Sequence, residues 1–222
     1  MIRRQALALL LALLTLAAVP ACSGGGPELP DGGQLLSDAA ETMRGVNTAR
    51  FALDVQGTVN GIDLNGAQGQ LTRQGAATGT VTLDQAGQLA ELRFVLTGDT
   101  LYLQGPTGGF RELPASLASS VYDPSTILDA RRGVPALFGG ATDAVTEARE
   151  EVDGVDTYRV RATFPAEVLG RLVPGTIRDT SGQVWIGAQQ PYLVQGRFPL
   201  PDGTATVRLS EFDAPVDIAP PS

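Results

Sequence analysis

The side chain best equipped for covalent chemistry is Cys22, the only cysteine of the 222-residue chain. It follows Val19-Pro20-Ala21, so the small Ala21 stands where a signal peptidase needs a compact residue, and the Cys22 thiol can take up a thioether-linked diacylglyceryl group while cleavage frees its amine for a further acyl chain. The site has the form of a lipobox, with Pro20 in place of the usual small middle residue. The other reading is an ordinary secreted protein cleaved after Ala21, which would leave an unpaired reactive thiol in an oxidising compartment.

The remaining polar groups offer little else. The chain has 16 Lys+Arg, all of them Arg, 24 Asp+Glu and no His. That removes a histidine base, a Ser-Lys dyad, a Schiff-base lysine and a His-ligated metal together, and no cofactor or metal is expected. Ser119-Ser120 therefore has no base of the right type, and no enzyme is expected. Glu147, Glu150, Glu151 and Asp153 could form a calcium site, but strand spacing puts Glu147 and Glu151 on one face with Glu150 pointing away, which reads as a solvated strand leading into a turn. Arg131-Arg132 is either an exposed pair beside Gly133 or a contact for anionic head groups. Trp185 faces opposite to Val184 and Ile186, as a groove wall or as part of a strand packed under a helix.

The segment around Cys22 sets the location. Arg3 and Arg4 precede an apolar run from Ala6 to Val19. A bilayer-spanning helix needs roughly 20 apolar residues, so this run reads as the core of a cleaved export signal over residues 1–21. Its removal takes Arg3 and Arg4 with it and leaves 14 cations against 24 anions, a field that does not suit nucleic acid. Residues 22–28, beginning Cys22-Ser23-Gly24-Gly25-Gly26-Pro27, form a flexible tether. The expected location is the cell membrane, lipid-anchored and facing the extracytoplasmic envelope. No more than about 190 residues remain for one domain, 29–214, followed by a Pro-rich tail, 215–222.

Within that domain, Leu35, Leu36, Ala39, Ala40 and Met43 recur at helical spacing over Gln34 to Arg44, and Gly45 closes the helix. From Arg50 the period switches to two. Alternating runs at Arg50 to Val59, Leu64 to Arg73, Thr78 to Asp84, Leu89 to Leu96 and Thr100 to Gln104 are separated by glycine-bearing turns too short for parallel crossovers, so they form an antiparallel meander. Ala115 to Gly140 favours short helices, one from Asp123-Pro124 with Ile127 and Leu128, another from Val134 to Phe138. Alternation returns at Ala141 to Glu151 and Thr157 to Thr163 around an Asp153-Gly154 hairpin turn. A short helix follows at Pro165 to Val173, and strands at Gln183 to Gly187, Tyr192 to Phe198 and Ala205 to Phe212 complete the sheet. Helices gathered on one side of a curved antiparallel sheet make an α+β half-barrel. If they do not fill its concave side, an apolar groove remains.

An ordered series of residues carries a family resemblance: Leu29-Pro30-Asp31-Gly32, Gly98-Asp99-Thr100-Leu101-Tyr102, Val121-Tyr122-Asp123-Pro124 with Ile127-Leu128, and Val184-Trp185-Ile186. With the lipobox, these make the chain similar throughout to the actinobacterial LppX and LprAFG envelope lipoproteins, and most of all to their LprG-like branch. The resemblance implies a half-barrel whose helices enclose an apolar cavity, and carriage of acylated lipids or lipoglycans from the inner membrane toward the outer envelope beside a major-facilitator exporter. Alternation and helix faces nominate the lining: Leu53, Val55, Val81, Leu83, Phe94, Leu96, Leu101, Leu103, Ile127, Leu128, Val134, Leu137, Phe138, Val168, Leu172 and Ile186. The alternative function is an adaptor lipoprotein of the same fold that binds an envelope protein and no lipid.

The anchor assignment is directly testable. Labelled fatty acid fed to the producing cell should enter the natural chain and not the Cys22→Ser variant, which should remain unprocessed or escape to the medium. Equal labelling of the two would reject it.

Overall fold

The first element rests on a cap and a close approach. In the structure, a computed structural model that describes residues 28–57, 64–85, 87–116, 124–173 and 176–221, helix α1 spans Gly32–Gly45. The Asp31 carboxylate accepts the Gln34 backbone N–H at 2.8 Å, satisfying one of the four N–H groups that a helix start leaves open. Leu36, Ala39, Ala40 and Met43 form its buried side. A side chain at Gly32 would meet the backbone of Ala144 and Val145 at 2.9 Å, so only glycine lets the helix start lie this close to the sheet. The signal segment, Cys22 and Ser119-Ser120 lie outside the described residues.

Eleven strands follow: β1 (Thr48–Gly57), β2 (Leu64–Thr72), β3 (Ala77–Gln85), β4 (Gln88–Thr97), β5 (Thr100–Gln104), β6 (Arg111–Pro114), β7 (Thr142–Val152), β8 (Val155–Phe164), β9 (Thr180–Gly187), β10 (Leu193–Leu200) and β11 (Gly203–Ser210). They form one open antiparallel sheet in the order β6-β5-β4-β3-β2-β1-β11-β10-β9-β8-β7. Two meanders, β1 to β6 and β7 to β11, are thus joined through the β1–β11 pair, whose register runs from Arg50 opposite Ser210 to Gly57 opposite Gly203. The expected two-residue turn is present, with Asp153 at φ 50° and Gly154 at φ 81°, the left-handed pair that suits the twist of a hairpin.

Between the meanders lie a 3-10 helix, η1 (Pro124–Leu128), and α2 (Val134–Gly139); α3 (Ala166–Leu172) links β8 to β9. Helices α1, α2, α3 and η1 pack on one another, with α1 also against β7 and β9 and η1 against β2. Their apolar residues join one core with the same face of every strand from β1 to β5 and β8 to β11. β6, just before the region of short helices, is a strand that the alternation does not show. The strand is only four residues long and ends in proline, which donates no ladder hydrogen bond, so it sits where such a strand is tolerated, at the sheet edge.

Glycines bring the strands of the first meander unusually close. A Cβ on Gly79 would lie 2.0 Å from the Gln68 carbonyl oxygen, and one on Gly69 would lie 2.0 Å from that of Thr78. Paired glycines of this kind mark a sharp bend in a sheet. Gly79→Val should therefore destabilise the fold by about 2 to 3 kcal/mol. Gly139→Ala, whose Cβ meets nothing within 4 Å, should stay within about 0.5 kcal/mol of the parent. Urea unfolding of the two variants beside the parent checks both.

Candidate functional site

The helix-covered face of the first meander is built from three cross-strand ladders. Ala49, Leu71, Ala77 and Leu96 form the first, Phe51, Gly69, Gly79 and Phe94 the second, and Leu53, Ala67, Val81 and Leu92 the third. Burial falls from one ladder to the next. All four members of the first are buried, Leu71 and Ala77 completely. In the third, Leu53 is buried while Ala67, Val81 and Leu92 are half-exposed. Beyond it, toward the Gly57 and Gln85 ends of β1 and β3, Leu64, Leu83 and Ala90 are half-exposed as well. The middle rows carry the small residues Ala67, Gly69 and Gly79, which contribute little side-chain volume to this face.

The sixteen residues nominated from sequence are spread over the first meander, β9 and the helices and fall in or beside one core. Leu53, Val55, Phe94, Leu96, Leu101, Ile127, Leu128, Val134, Leu137, Phe138, Leu172 and Ile186 are all buried in one core; Val81, Leu103 and Val168 pack against it half-buried, and Leu83 lies half-exposed beside it. Sequence reasoning missed Ala67, Leu64 and Leu92, which share the alternation of their strands, and Gly69 and Gly79, whose lack of a side chain hides them from any apolar pattern.

Two clefts lie elsewhere, and none of the sixteen lines either. One of 650 Å³ runs along the ends of β1 and β11 and the β7–β8 turn, bounded by Arg50, Arg208, Asp153, Glu211, Tyr192 and Phe212 among others. Its charges are mutually paired, Arg50 with Glu211 at 2.8 Å and Arg208 with Asp153 at 3.5 Å, and Val155, Val194 and Leu209 add apolar lining. The other, 290 Å³, opens on the outer face between Arg161, Gln183 and Arg197. Among the described residues no group of three potential metal ligands occurs, and no helix is long and apolar enough to cross a membrane. Arg131 and Arg132 are exposed; the guanidinium of Arg132 binds Asp129 at 3.0 Å, and the backbone N–H groups of both arginines donate to the same carboxylate.

The outer face of β7, β8 and β9 corrects two expectations. A bulge between Thr146 and Ala148 resets the alternation, so Glu150 joins Glu147 on one face instead of pointing away from it. Glu147 accepts from Arg159 at 3.2 Å, Arg161 at 2.8 Å and Gln183 at 2.7 Å; Glu150 accepts from Arg159 at 2.9 Å and from the Trp185 indole N–H at 2.6 Å. Trp185, 6% exposed, is therefore neither groove wall nor under a helix; it is buried beneath this network on the opposite side of the sheet. Of the acidic run, Glu147, Glu150 and Asp153 are ion-paired, and Glu151 is exposed.

The Gln183 amide, together with Arg161 and Arg159 and against the effect of burial, holds the Glu147 carboxyl below its ordinary value of 4.5. A depressed folded-state value means that its stabilisation is complete above the unfolded value and is lost as pH falls through the folded one. Glu147→Gln should thus cost on the order of 1 kcal/mol at neutral pH, and the gap between variant and parent should close in strong acid. Urea titrations at about pH 7 and about pH 3 decide this; a gap independent of pH would show that the charge is irrelevant.

Relatives share this architecture. The family described as LppX_LprAFG lipoprotein matches residues 31–218. The lipoarabinomannan carrier protein LprG of Mycolicibacterium smegmatis is 30% identical over 231 residues, covering 99% of this chain and 98% of that one; its counterpart in Mycobacterium tuberculosis is 28% identical over 185 residues, covering 79% and 78%. The crystal structure of LprF from Mycobacterium bovis superimposes with a TM-score of 0.77 at 24% identity, over 89% of this chain and 100% of that one, and LppX from Mycobacterium tuberculosis with 0.65 at 22%, over 84% and 98%. These two establish the likeness of fold, an α+β arrangement on a large open antiparallel sheet. With the match running from the cap of α1 to beyond the last strand, the chain belongs to the LppX and LprAFG lipoprotein family.

Proposed function

We propose that this protein is a membrane-anchored lipid carrier, acylated at Cys22 and facing the extracytoplasmic envelope. It holds the acyl chains of a lipid or lipoglycan between the helix layer and the first meander, and moves them from the inner membrane outward beside a major-facilitator exporter. The observation that carries this reading is the decline in burial across the ladders, from the sealed row of Leu71 and Ala77 to the half-exposed row of Ala67, Val81 and Leu92. An apolar face left part-covered in this way costs solvation free energy unless something apolar completes it. One 16-carbon chain, at about 0.8 kcal/mol per buried CH₂, would gain on the order of 10 kcal/mol there. The site itself is apolar, so specificity is slight and the head group stays at the mouth. The sixteen nominated residues would line or back the chain, with 29–214 as one folded unit, residues 22–28 as tether and 215–222 as tail. Relatives named as lipoarabinomannan carriers support the class of cargo.

Native mass spectrometry of protein purified from its own host should show lipid of discrete mass; an adaptor would show none. Leu83→Trp, in the half-exposed row, should lower lipid occupancy with little change in thermal midpoint, whereas the same replacement at buried Leu101 should overpack and cost about 1 to 3 kcal/mol. Full lipid loading of Leu83→Trp, or no lipid in any form of the protein, would reject the carrier reading.

A further inference from the structure

The five large apolar side chains that the described fold leaves exposed are unevenly placed. Leu89 is 67% and Ile177 80% exposed, with Val145 at 49%, Val155 at 42% and Leu29 at 37%. The strand ladders fix the rim of the sheet that each occupies. Leu89 pairs with Asp84 next to the β3–β4 turn. Leu83, beside it, pairs with Leu64 of β2, whose neighbour β1 ends at Gly57 opposite Gly203. Leu200 pairs with Gly203, Arg197 with Gln183, and Thr180 with Phe164. All of these residues belong to one rim, and Ile177 lies three residues before Thr180 on it. Only Val155 lies at the opposite rim, in the β7–β8 turn.

The rim that carries Leu89 and Ile177 is also the one toward which the helix-covered face opens, through Leu64, Leu83 and Ala90. The chain reaches the fold on this half of β7, where Thr146 donates to the Pro30 carbonyl at 2.6 Å and Gly32 lies against Ala144 and Val145. Thr146 is closer to the Thr142 end of its strand than to the Val152 end. Six peptide units separate Glu28 from Cys22 and span at most about 20 Å, so a bilayer holding an acyl group on Cys22 is within reach of this side of the domain. An isoleucine and a leucine exposed to this degree beside a short tether fit an apolar interface. Arg178, adjacent to Ile177, makes no ion pair among the described residues and is free to meet lipid phosphate.

We propose that this rim docks on the bilayer surface, with Leu89 and Ile177 entering the interfacial layer and the open end of the apolar face held against the lipid from which a chain is drawn. The inference rests on the anchored-carrier reading for the nearness of a membrane, while the docking geometry comes from the exposure pattern. An interfacial side chain sits about 5 to 10 Å deep, at the boundary of head groups and acyl chains. The chain as a whole is net negative and Asp84, Asp179 and Asp202 lie on this rim too, so insertion of the apolar side chains, not charge attraction, holds the contact.

The chain has a single tryptophan, Trp185, buried on the outer face, so added tryptophans report cleanly above a constant background. Leu89→Trp, Ile177→Trp and Val155→Trp are each introduced into the full chain and reconstituted on phosphatidylcholine vesicles with or without brominated acyl chains. The expected result is loss of most of the added emission at positions 89 and 177 on brominated vesicles, and none at 155. Equal quenching at all three positions, or quenching only at 155, overturns the docking surface, as does absence of quenching at 89 and 177. Lipid occupancy measured on the same samples separates the two ideas: a quenched rim on a protein that never holds lipid retains the docking surface and rejects the carrier, and an unquenched rim on a lipid-loaded protein does the reverse.

Discussion

The pairing of β1 with β11 is the constraint on which the rest depends. Every other strand of the sheet pairs with its neighbour in sequence, and such hairpins close cheaply. This pair brings Arg50 opposite Ser210 and so closes a loop of most of the domain, an entropic cost that only extensive burial can offset. The offset is visible in the core. Phe51, Leu53 and Val55 of β1 lie beside Leu209 and Ala205 of β11, with Met43 and Leu36 of α1 in the same cluster. The chain also fastens the junction from outside: Asp213 accepts the Asn47 backbone N–H at 2.7 Å, and Thr48 donates to the Ala214 carbonyl at 2.7 Å. Without it each meander would present an apolar face to water, and the helices, which draw on both halves, would have no common floor.

An open sheet of eleven strands has two edges that must not recruit another chain, and each is protected differently. β6 is four residues long and closed by Pro114. β7 is long, but it carries two register shifts and α1 lies against it, while the Glu147 and Glu150 carboxylates tie it to Arg159 and Arg161 of β8. Bulges, charge and cover are the usual means of making an edge unattractive as a template. The same salt bridges seal Trp185 on the outer side, so this polar network lies across the sheet from the apolar face.

How much of this could be read from sequence depends on what alternation encodes. Period-two patterning separated by glycine turns assigned the inward side of β1, β3, β4, β5 and β9 correctly, because a single register error would have moved the whole set of one strand to the outside. It failed in β7, where the bulge inserts one unpaired residue and nothing in Thr146-Glu147-Ala148 announces it. It does not show β6, where four residues are too few to make a period. For Trp185 the side was legible and the burial was not, since burial came from Glu150 reaching back across the bulge. The sequence also says which face helices cover, but not how closely, so an enclosed cavity was beyond its reach.

What governs closeness is side-chain volume in the ladders. In the row of Ala49, Leu71, Ala77 and Leu96, small residues alternate with leucines that fill the space above them, and water is excluded. One row on, two facing glycines stand between Phe51 and Phe94, so the rings at either side must supply all the bulk while the centre stays thin. In the next row Ala67 separates Leu53 from Val81. A packed core keeps close to crystal density, so thin rows oblige the helices either to descend or to leave space. Descent is limited because η1 and α2 are held by their own connection: a Cβ on Gly133 would strike the Thr126 carbonyl oxygen at 2.2 Å and that of Ile127 at 2.4 Å. The decline of burial from row to row thus follows from where the chain places glycine and alanine in the ladders. Burial falls toward the rim that bears Leu89, through Ala67, Val81 and Leu92 to Leu64, Leu83 and Ala90.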